Sequence, residues 1–137
     1  MTPKHYLMQY QTLKYEYEEA RKAYLSLRLD AESVPGLRYD KDKIQSSNGM
    51  DLSDTVIALM KAEGMMQRKQ KEYLEKLMEI RDVIDAVKDD RYRELLKRRY
   101  INGQSFEQIS DEMGYELGTI SIYHGWALTQ ITVPKTV

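Results

Sequence analysis

The chain has 137 residues, of which 31% are charged, yet its formal net charge is only −1. This length predicts one domain, or one domain with an extension. A net charge so close to zero excludes a global field that would draw the chain to nucleic acid. The absence of cysteine excludes disulfides and thiol chemistry and fits a reducing cytoplasm. No apolar run resembles a signal peptide or a membrane span, so we expect a cytoplasmic protein without membrane contact.

The first 34 residues predict one long helix with a coiled-coil seam. Pro3 suits the first helical position. Tyrosine and aliphatic residues then recur at alternating spacings of four and three, which is the heptad pattern of such a seam. The seam residues are Tyr6, Tyr10, Leu13, Tyr17, Ala20, Tyr24, Leu27, Ala31 and Val34. We expect the tyrosines to pack in this seam rather than to stack on nucleic-acid bases.

A loop at residues 35–51 and a second long helix complete a predicted antiparallel hairpin. Pro35–Gly36 ends the first helix, and Ser46–Gly49 is typical of a loop, so a mobile connector is predicted here. From Leu52 to Val87 the heptad pattern returns, with Glu63 and Gln70 as polar seam residues. Further apolar residues widen this stripe beyond a two-helix seam: Ile57, Met60, Leu74 and Val83. Residues 1–88 are therefore predicted to form a hairpin that dimerises into a four-helix bundle.

Residues 89–137 are predicted to form a separate C-terminal domain that begins with a basic helix. Asp89 and Asp90 end the long helix and can cap the next one, because acids complement the dipole at a helix N-terminus. Residues 91–99 hold five basic residues and one acid, a local charge of +4. This segment fits contact with a DNA backbone, but a solvated helix face explains it equally well.

The pattern of a helix-turn-helix follows from residue 105 onward. Ser105 and Gln108 have the spacing of a capping box. Apolar residues then recur at helical spacing, and Gly114 ends this helix because glycine readily adopts positive φ. A second helix is predicted from Leu117, with an inward stripe of Ile120, His124, Ala127 and Ile131. In a helix-turn-helix of this kind, the second helix enters the major groove of DNA.

The segment from Leu95 to Leu128 resembles the C-terminal part of a family of phage proteins. This family is the ArpU/RinA-like late transcription regulators of Gram-positive phages, whose C-terminal domain is similar to the fourth conserved region of primary sigma factors. The matching residues are Arg99–Ile101, Gly103, Ser105–Ile109, Met113–Tyr115, Thr119–Ile120, His124 and Ala127–Leu128. The preceding hairpin extends the resemblance to most of the chain. The resemblance implies an all-α, DNA-binding transcription regulator of phage or prophage origin.

Alignment of the chain with that motif gives eight candidate DNA contacts. The candidates for base contacts are Thr119, Ser121 and Ile122, and Gly118 would allow the backbone to approach the DNA closely. The candidates for phosphate contacts are Arg98, Arg99, Gln104 and Ser105, the last through the amides of the helix start. The predicted partner is double-stranded DNA at a promoter or operator. A homodimer would bind two half-sites separated by whole helical turns.

The charges of the last 37 residues favour an alternative partner. From Ile101 onward the chain has one basic residue, Lys135, against four acids. Because Lys and Arg supply most non-specific DNA affinity, such a domain should bind DNA weakly alone or bind a protein instead. The alternative is thus a protein-docking module that contacts RNA polymerase or another regulator through Leu117, Ile122 and Trp126. A small-terminase-like packaging subunit, which also joins a helix-turn-helix to a coiled coil, is a third hypothesis.

No catalytic site, metal site or cofactor is predicted. The chain lacks a glycine-rich phosphate loop and a Cys/His metal constellation. Four acids on the second long helix, Glu72, Glu75, Glu79 and Asp82, resemble the carboxylate pattern of all-α nucleotide pyrophosphatases. Magnesium would need carboxylates that converge from facing helices, whereas these are interleaved with basic residues on one helix. A solvated helix face is the favoured explanation, so no enzyme is predicted.

Overall fold

The computed structural model describes residues 1–33 and 52–135, which form helices and short connections without any strand. The helices are α1 (Pro3–Ser33), α2 (Leu52–Asp85), α3 (Asp90–Leu96), α4 (Phe106–Met113) and α5 (Leu117–Thr129). A π-helical turn, Lys97–Ile101, follows α3 directly. The predicted all-α class, with two long helices followed by short ones, is confirmed. The predicted loop at residues 35–51 lies outside the described residues.

The chain divides into two compact units whose limits differ from the predicted boundary at residue 88. Met1–Leu13 and Tyr73–Val137 form one unit, which we call the composite unit. Lys14–Glu72 forms the other, which we call the hairpin unit. The first turns of α1 and the last turns of α2 therefore belong with α3, α4 and α5.

One apolar core explains why the composite unit combines distant segments. Its buried residues are Tyr6, Leu7, Tyr10, Ile80, Ile84, Val87, Leu96, Tyr100, Ala127 and Ile131. Within this unit α1 and α2 run antiparallel: the Tyr10 and Tyr73 ring centroids are 6.2 Å apart, and Lys76 Nζ lies 5.6 Å from the centroid of Tyr6. In this unit the seam residues of α1 and α2 share one core with Ala127 and Ile131.

The hairpin unit carries the same heptad pattern with much less burial. Within it, Lys69 Nζ of α2 lies 3.4 Å from Glu16 Oε2 of α1. The polar seam residues Glu63 and Gln70 are exposed. Apolar residues of α2 are also exposed: Leu52, Val56, Ile57, Met60 and Met65. The part of this unit that the structure describes therefore presents a broad apolar stripe to solvent.

The short helices begin and end at the residues that the sequence indicates. Asp89 caps α3, since its side chain accepts a hydrogen bond from the Arg91 amide at 2.9 Å. Ser105 and Gln108 form the predicted capping box at the start of α4, with bonds of 3.2 Å and 2.9 Å. Gly114 ends α4 at a φ of 76°, in the left-handed region that favours glycine. These caps satisfy helix-end groups that would otherwise lack partners.

Candidate nucleic-acid interface

A second, smaller apolar cluster packs α4 against α5 across the short turn that joins them. Its buried members are Leu95 of α3, Ile109 of α4 and Ile120 of α5. The Ser110 hydroxyl donates a hydrogen bond to the Tyr115 carbonyl, which closes the turn between the two helices. Ser110 thus stabilises the turn through its hydroxyl. The inward stripe of α5 is as predicted, with Ile120 and Ala127 fully buried.

α5 exposes a face that has no charged side chain. Its exposed residues are Leu117, Gly118, Ser121, Ile122, Gly125, Trp126 and Thr129. Ile122 and Trp126 are each 54% exposed. A Cβ atom added at Gly118 or Gly125 would meet nothing within 4 Å, so the face is open along its length. Of the predicted base contacts, Ser121 and Ile122 lie on this face together with Gly118, whereas Thr119 is half-buried.

The predicted phosphate contact Arg98 is held by acids of its own unit. Its Nη2 atom lies 3.1 Å from Glu94 Oε1, and its Nη1 atom pairs with Glu112. Gln104 belongs to the same network: its Oε1 accepts from Arg98 at 3.4 Å, and its amide nitrogen donates to Glu112 at 2.8 Å. A phosphate at this position would compete with these carboxylates for Arg98 and Gln104.

Three more basic residues of the 91–99 segment are also paired with acids. Arg91 Nη2 lies 2.9 Å from Asp89 Oδ2, and its hydrogen bonds lower the pKa of Asp89. The remaining pairs are Arg93–Asp90 and Lys97–Asp85. These three acids precede residue 91, so they lie outside the segment in which the sequence shows a charge of +4. The pairing leaves little free positive charge on this surface.

Arg99 differs from its neighbours because it forms no ion pair with any described residue. Its Nη1 atom donates to the Gln104 carbonyl at 3.0 Å. Its guanidinium carbon lies 4.5 Å from the centroid of the Phe106 ring, close enough for a cation–π interaction. Ser105, the fourth predicted phosphate contact, uses its hydroxyl and its amide in the capping box.

Arg99 lines an open cleft that lies entirely within the composite unit. The cleft has a volume of 470 Å³ and is lined by Lys4, Met8, Gln11, Arg99, Tyr100, Gly103, Phe106 and His124. The Gln11 amide donates to the carbonyls of Tyr100 and Ile101, at 3.1 Å and 3.0 Å, where the π-helical turn ends. The sequence analysis missed this cleft, because its lining residues come from distant parts of the chain. The positive φ of Gly103, 70°, fits an Asn-Gly turn that the sequence does show.

His124 is held on one side of this cleft by Tyr100 and Phe106. The Tyr100 hydroxyl lies 2.6 Å from His124 Nε2, and the Phe106 and His124 ring centroids are 5.0 Å apart. Burial, with the charges of Arg99 and Lys4, lowers the pKa of His124 to about 4. Burial raises the pKa of Tyr100. At neutral pH the imidazole is therefore neutral, and a hydrogen bond joins its Nε2 atom to the Tyr100 hydroxyl.

Comparison with known proteins places the chain in a family without an assigned function. The family model described as "protein of unknown function (DUF1492)" matches residues 33–130, which is most of the chain. The chain belongs to the DUF1492 family. This family is phage-associated, which agrees with the predicted origin, whereas the closer resemblance to ArpU/RinA-like regulators stays a prediction. No curated protein and no solved structure matches the chain.

In this DUF1492 protein, seven of the eight predicted contact residues thus fall into three groups, and the eighth, Thr119, is half-buried. Gly118, Ser121 and Ile122 share the open face of α5. Arg98 and Gln104 belong to the ion-pair network with Glu112, and Ser105 caps α4. Arg99 lines the cleft. In the described part of the chain, no helix is long and apolar enough to cross a membrane, and no group of acids and histidines could hold a metal ion.

Proposed function

We propose that this DUF1492 protein is a phage-type transcriptional regulator that binds double-stranded DNA with α5 in the major groove. The observation that supports this most strongly is the open face of α5, which follows a capped α4 that packs on α5 through Ile109. The major groove is wide enough to admit one helix. In that position the Ser121 hydroxyl can bond to base edges, and Ile122 can contact a thymine methyl group.

The ion pairs of the composite unit determine how such binding would respond to salt. Phosphate contacts by Lys and Arg release counterions, so each one steepens the loss of affinity with salt. Four of the five basic residues in segment 91–99 are paired with acids of the unit. We therefore expect weak non-specific binding and a shallow salt dependence. Specific affinity would come from base contacts and from the use of two copies.

The exposed apolar stripe of the hairpin unit fits a second copy of the chain as its cover. Ile57 and Met60 are 48% and 66% exposed, and apolar neighbours extend the stripe along α2. Two hairpin units can bury such stripes against each other in a four-helix bundle. A homodimer would also join two weak DNA-binding domains, which raises their combined affinity through effective concentration.

Selection of sheared phage and host genomic DNA on the purified protein, at low and near-physiological salt, tests this function. We expect enrichment of one or a few intergenic loci that persists at the higher salt. The variant Ser121→Asp should abolish the enrichment, because it brings a carboxylate to the anionic groove. Ser26→Asp adds the same charge at an exposed position of α1 in the hairpin unit and should have no effect. Absence of enrichment, or equal loss in both variants, would refute DNA binding through α5.

The apolar character of the same face favours one second candidate, docking onto RNA polymerase or another regulator. Leu117, Ile122 and Trp126 are 45%, 54% and 54% exposed, and tryptophan is enriched at the centres of protein interfaces. Binding to purified bacterial RNA polymerase would be measured for Trp126→Ala. Loss of binding is expected, whereas Leu29→Ala, which truncates an exposed leucine of the hairpin unit, should bind normally. Polymerase binding that survives Trp126→Ala would exclude this use of α5.

A further inference from the structure

The cleft of the composite unit combines two cations and no carboxylate. Lys4 and Arg99 both line it, and neither forms an ion pair with a described residue. The adjacent Arg98, in the same π-helical turn, is paired with Glu94 and Glu112. Two neighbouring arginines of the π-helical turn therefore differ in their partners. Arg98 is paired with two acids, whereas Arg99 has no acidic partner among the described residues. Such turns occur frequently at functional sites.

The surroundings of Arg99 hold its guanidinium ready for an anion. One of its nitrogens donates to the Gln104 carbonyl, and its guanidinium carbon lies 4.5 Å from the centroid of the Phe106 ring. A guanidinium carries five N–H donors, so most of them remain available to a ligand. Because a side chain fixed in this way loses little entropy on binding, and because its donors match two phosphate oxygens at once, Arg99 is suited to a phosphate group.

The rest of the lining adds an imidazole and an apolar surface. The imidazole of His124 is held in the lining by its hydrogen bond to Tyr100. Met8 is 45% exposed, and Phe106 forms another apolar part of the lining. The volume of 470 Å³ far exceeds that of a phosphate ion and falls within the usual range of small-molecule sites.

We propose that this cleft binds a small organic phosphate, with the phosphate group against Lys4 and Arg99 and the body of the molecule against Met8 and Phe106. The cleft is distinct from the open face of α5, because His124 is the only residue of α5 that lines it. A ligand can therefore occupy it whether or not α5 binds DNA. This assignment does not depend on the proposed regulatory function.

Calorimetric titration of the full chain tests the proposal, with adenosine monophosphate as the probe. Inorganic phosphate and adenosine are titrated in parallel, because each presents one half of the probe. We expect the monophosphate to bind more tightly than either half. Lys4→Gln and Arg99→Gln should each weaken it roughly tenfold or more, since each removes hydrogen bonds to a charged group. Lys88→Gln, which removes an exposed charge of the same unit outside the cleft, should bind as the unaltered chain does.

Four results would overturn the proposal. The first is the absence of binding at a monophosphate concentration of about 10 mM, because a dissociation constant above that value would not indicate a specific site. The second is adenosine that binds as tightly as the monophosphate, which would exclude a phosphate site. The third is inorganic phosphate of equal affinity, which would exclude an organic ligand. The last is an equal loss of monophosphate affinity in Lys88→Gln and Arg99→Gln, measured on variants whose unfolding curves match. It would show general electrostatic attraction of the ligand without a defined site.

Discussion

The composite unit and the hairpin unit share one heptad pattern, but they bury it to very different extents. Ile84 and Ile57 lie on the same helix, α2, yet Ile84 is 0% exposed and Ile57 is 48% exposed. In the composite unit α5 and the segment after it add residues to the core, whereas the described part of the hairpin unit consists of α1 and α2 alone. The pattern thus specifies which face is apolar, and the number of neighbouring elements decides whether that face is covered.

The largest difference between the units should appear when the two isoleucines are truncated. Ile84→Ala removes methylene groups from a closed core and should lower the free energy of unfolding by about 2–5 kcal/mol. Ile57→Ala should change it by about 0.5 kcal/mol or less at a concentration where the chain is monomeric, since its side chain is already half in water. Urea unfolding of both variants measures the two values. Similar losses of unfolding free energy in the two variants would show that Ile57 is buried to the same extent as Ile84.

The exposed stripe of the hairpin unit should be the site of dimerisation. Met60→Lys places a charge in that stripe and should convert a dimer into a monomer in sedimentation equilibrium. Leu29→Lys is the matched control, because Leu29 lies on α1, outside that stripe of α2, and is 65% exposed, compared with 66% for Met60. A monomeric wild-type chain at all concentrations would exclude the dimer. A ring-sized mass would instead favour a packaging subunit.

Protonation of His124 should couple the stability of the composite unit to pH. Its pKa is about 4 in the folded chain, below the usual value of 6.5, so the unfolded chain binds the proton more readily. The resulting stability is complete above pH 6.5 and is lost as the pH falls toward 4. His124→Gln should therefore lose less stability than the unaltered chain between pH 7 and pH 5 in urea unfolding. A pH dependence that is unchanged in His124→Gln would refute this coupling.

The smallest effects should separate two serines of the helix-turn-helix. Ser105→Ala removes the N-cap of α4 and should destabilise the chain by about 1 kcal/mol. Ser121→Ala should change stability by no more than about 0.5 kcal/mol, because Ser121 is exposed and caps nothing. Its effect should instead be on affinity for a selected DNA site, measured by titration. The hypothesis of base contact fails if Ser121→Ala leaves that affinity unchanged.

The sequence predicts those parts of the fold that depend on neighbouring residues. The caps of α3 and α4, the end of α4 at Gly114 and the inward stripe of α5 all follow from spacings within one or two turns. The same reasoning overestimated the free charge of segment 91–99, because Asp85 and Glu112 reach it from outside. No local pattern predicts the cleft either, since Lys4 and Arg99 become neighbours only through the folded core.

The bond from Gln11 to the Tyr100 carbonyl joins residues that are 89 positions apart, and this separation affects how the chain is made. During synthesis the first turns of α1 leave the ribosome well before the residues that bury them. Leu7, which is fully buried in the folded chain, is therefore made long before its core partners Ile84 and Ala127. The hairpin unit is continuous in sequence and can form during translation. The composite unit closes only afterwards, through slow contacts of long range.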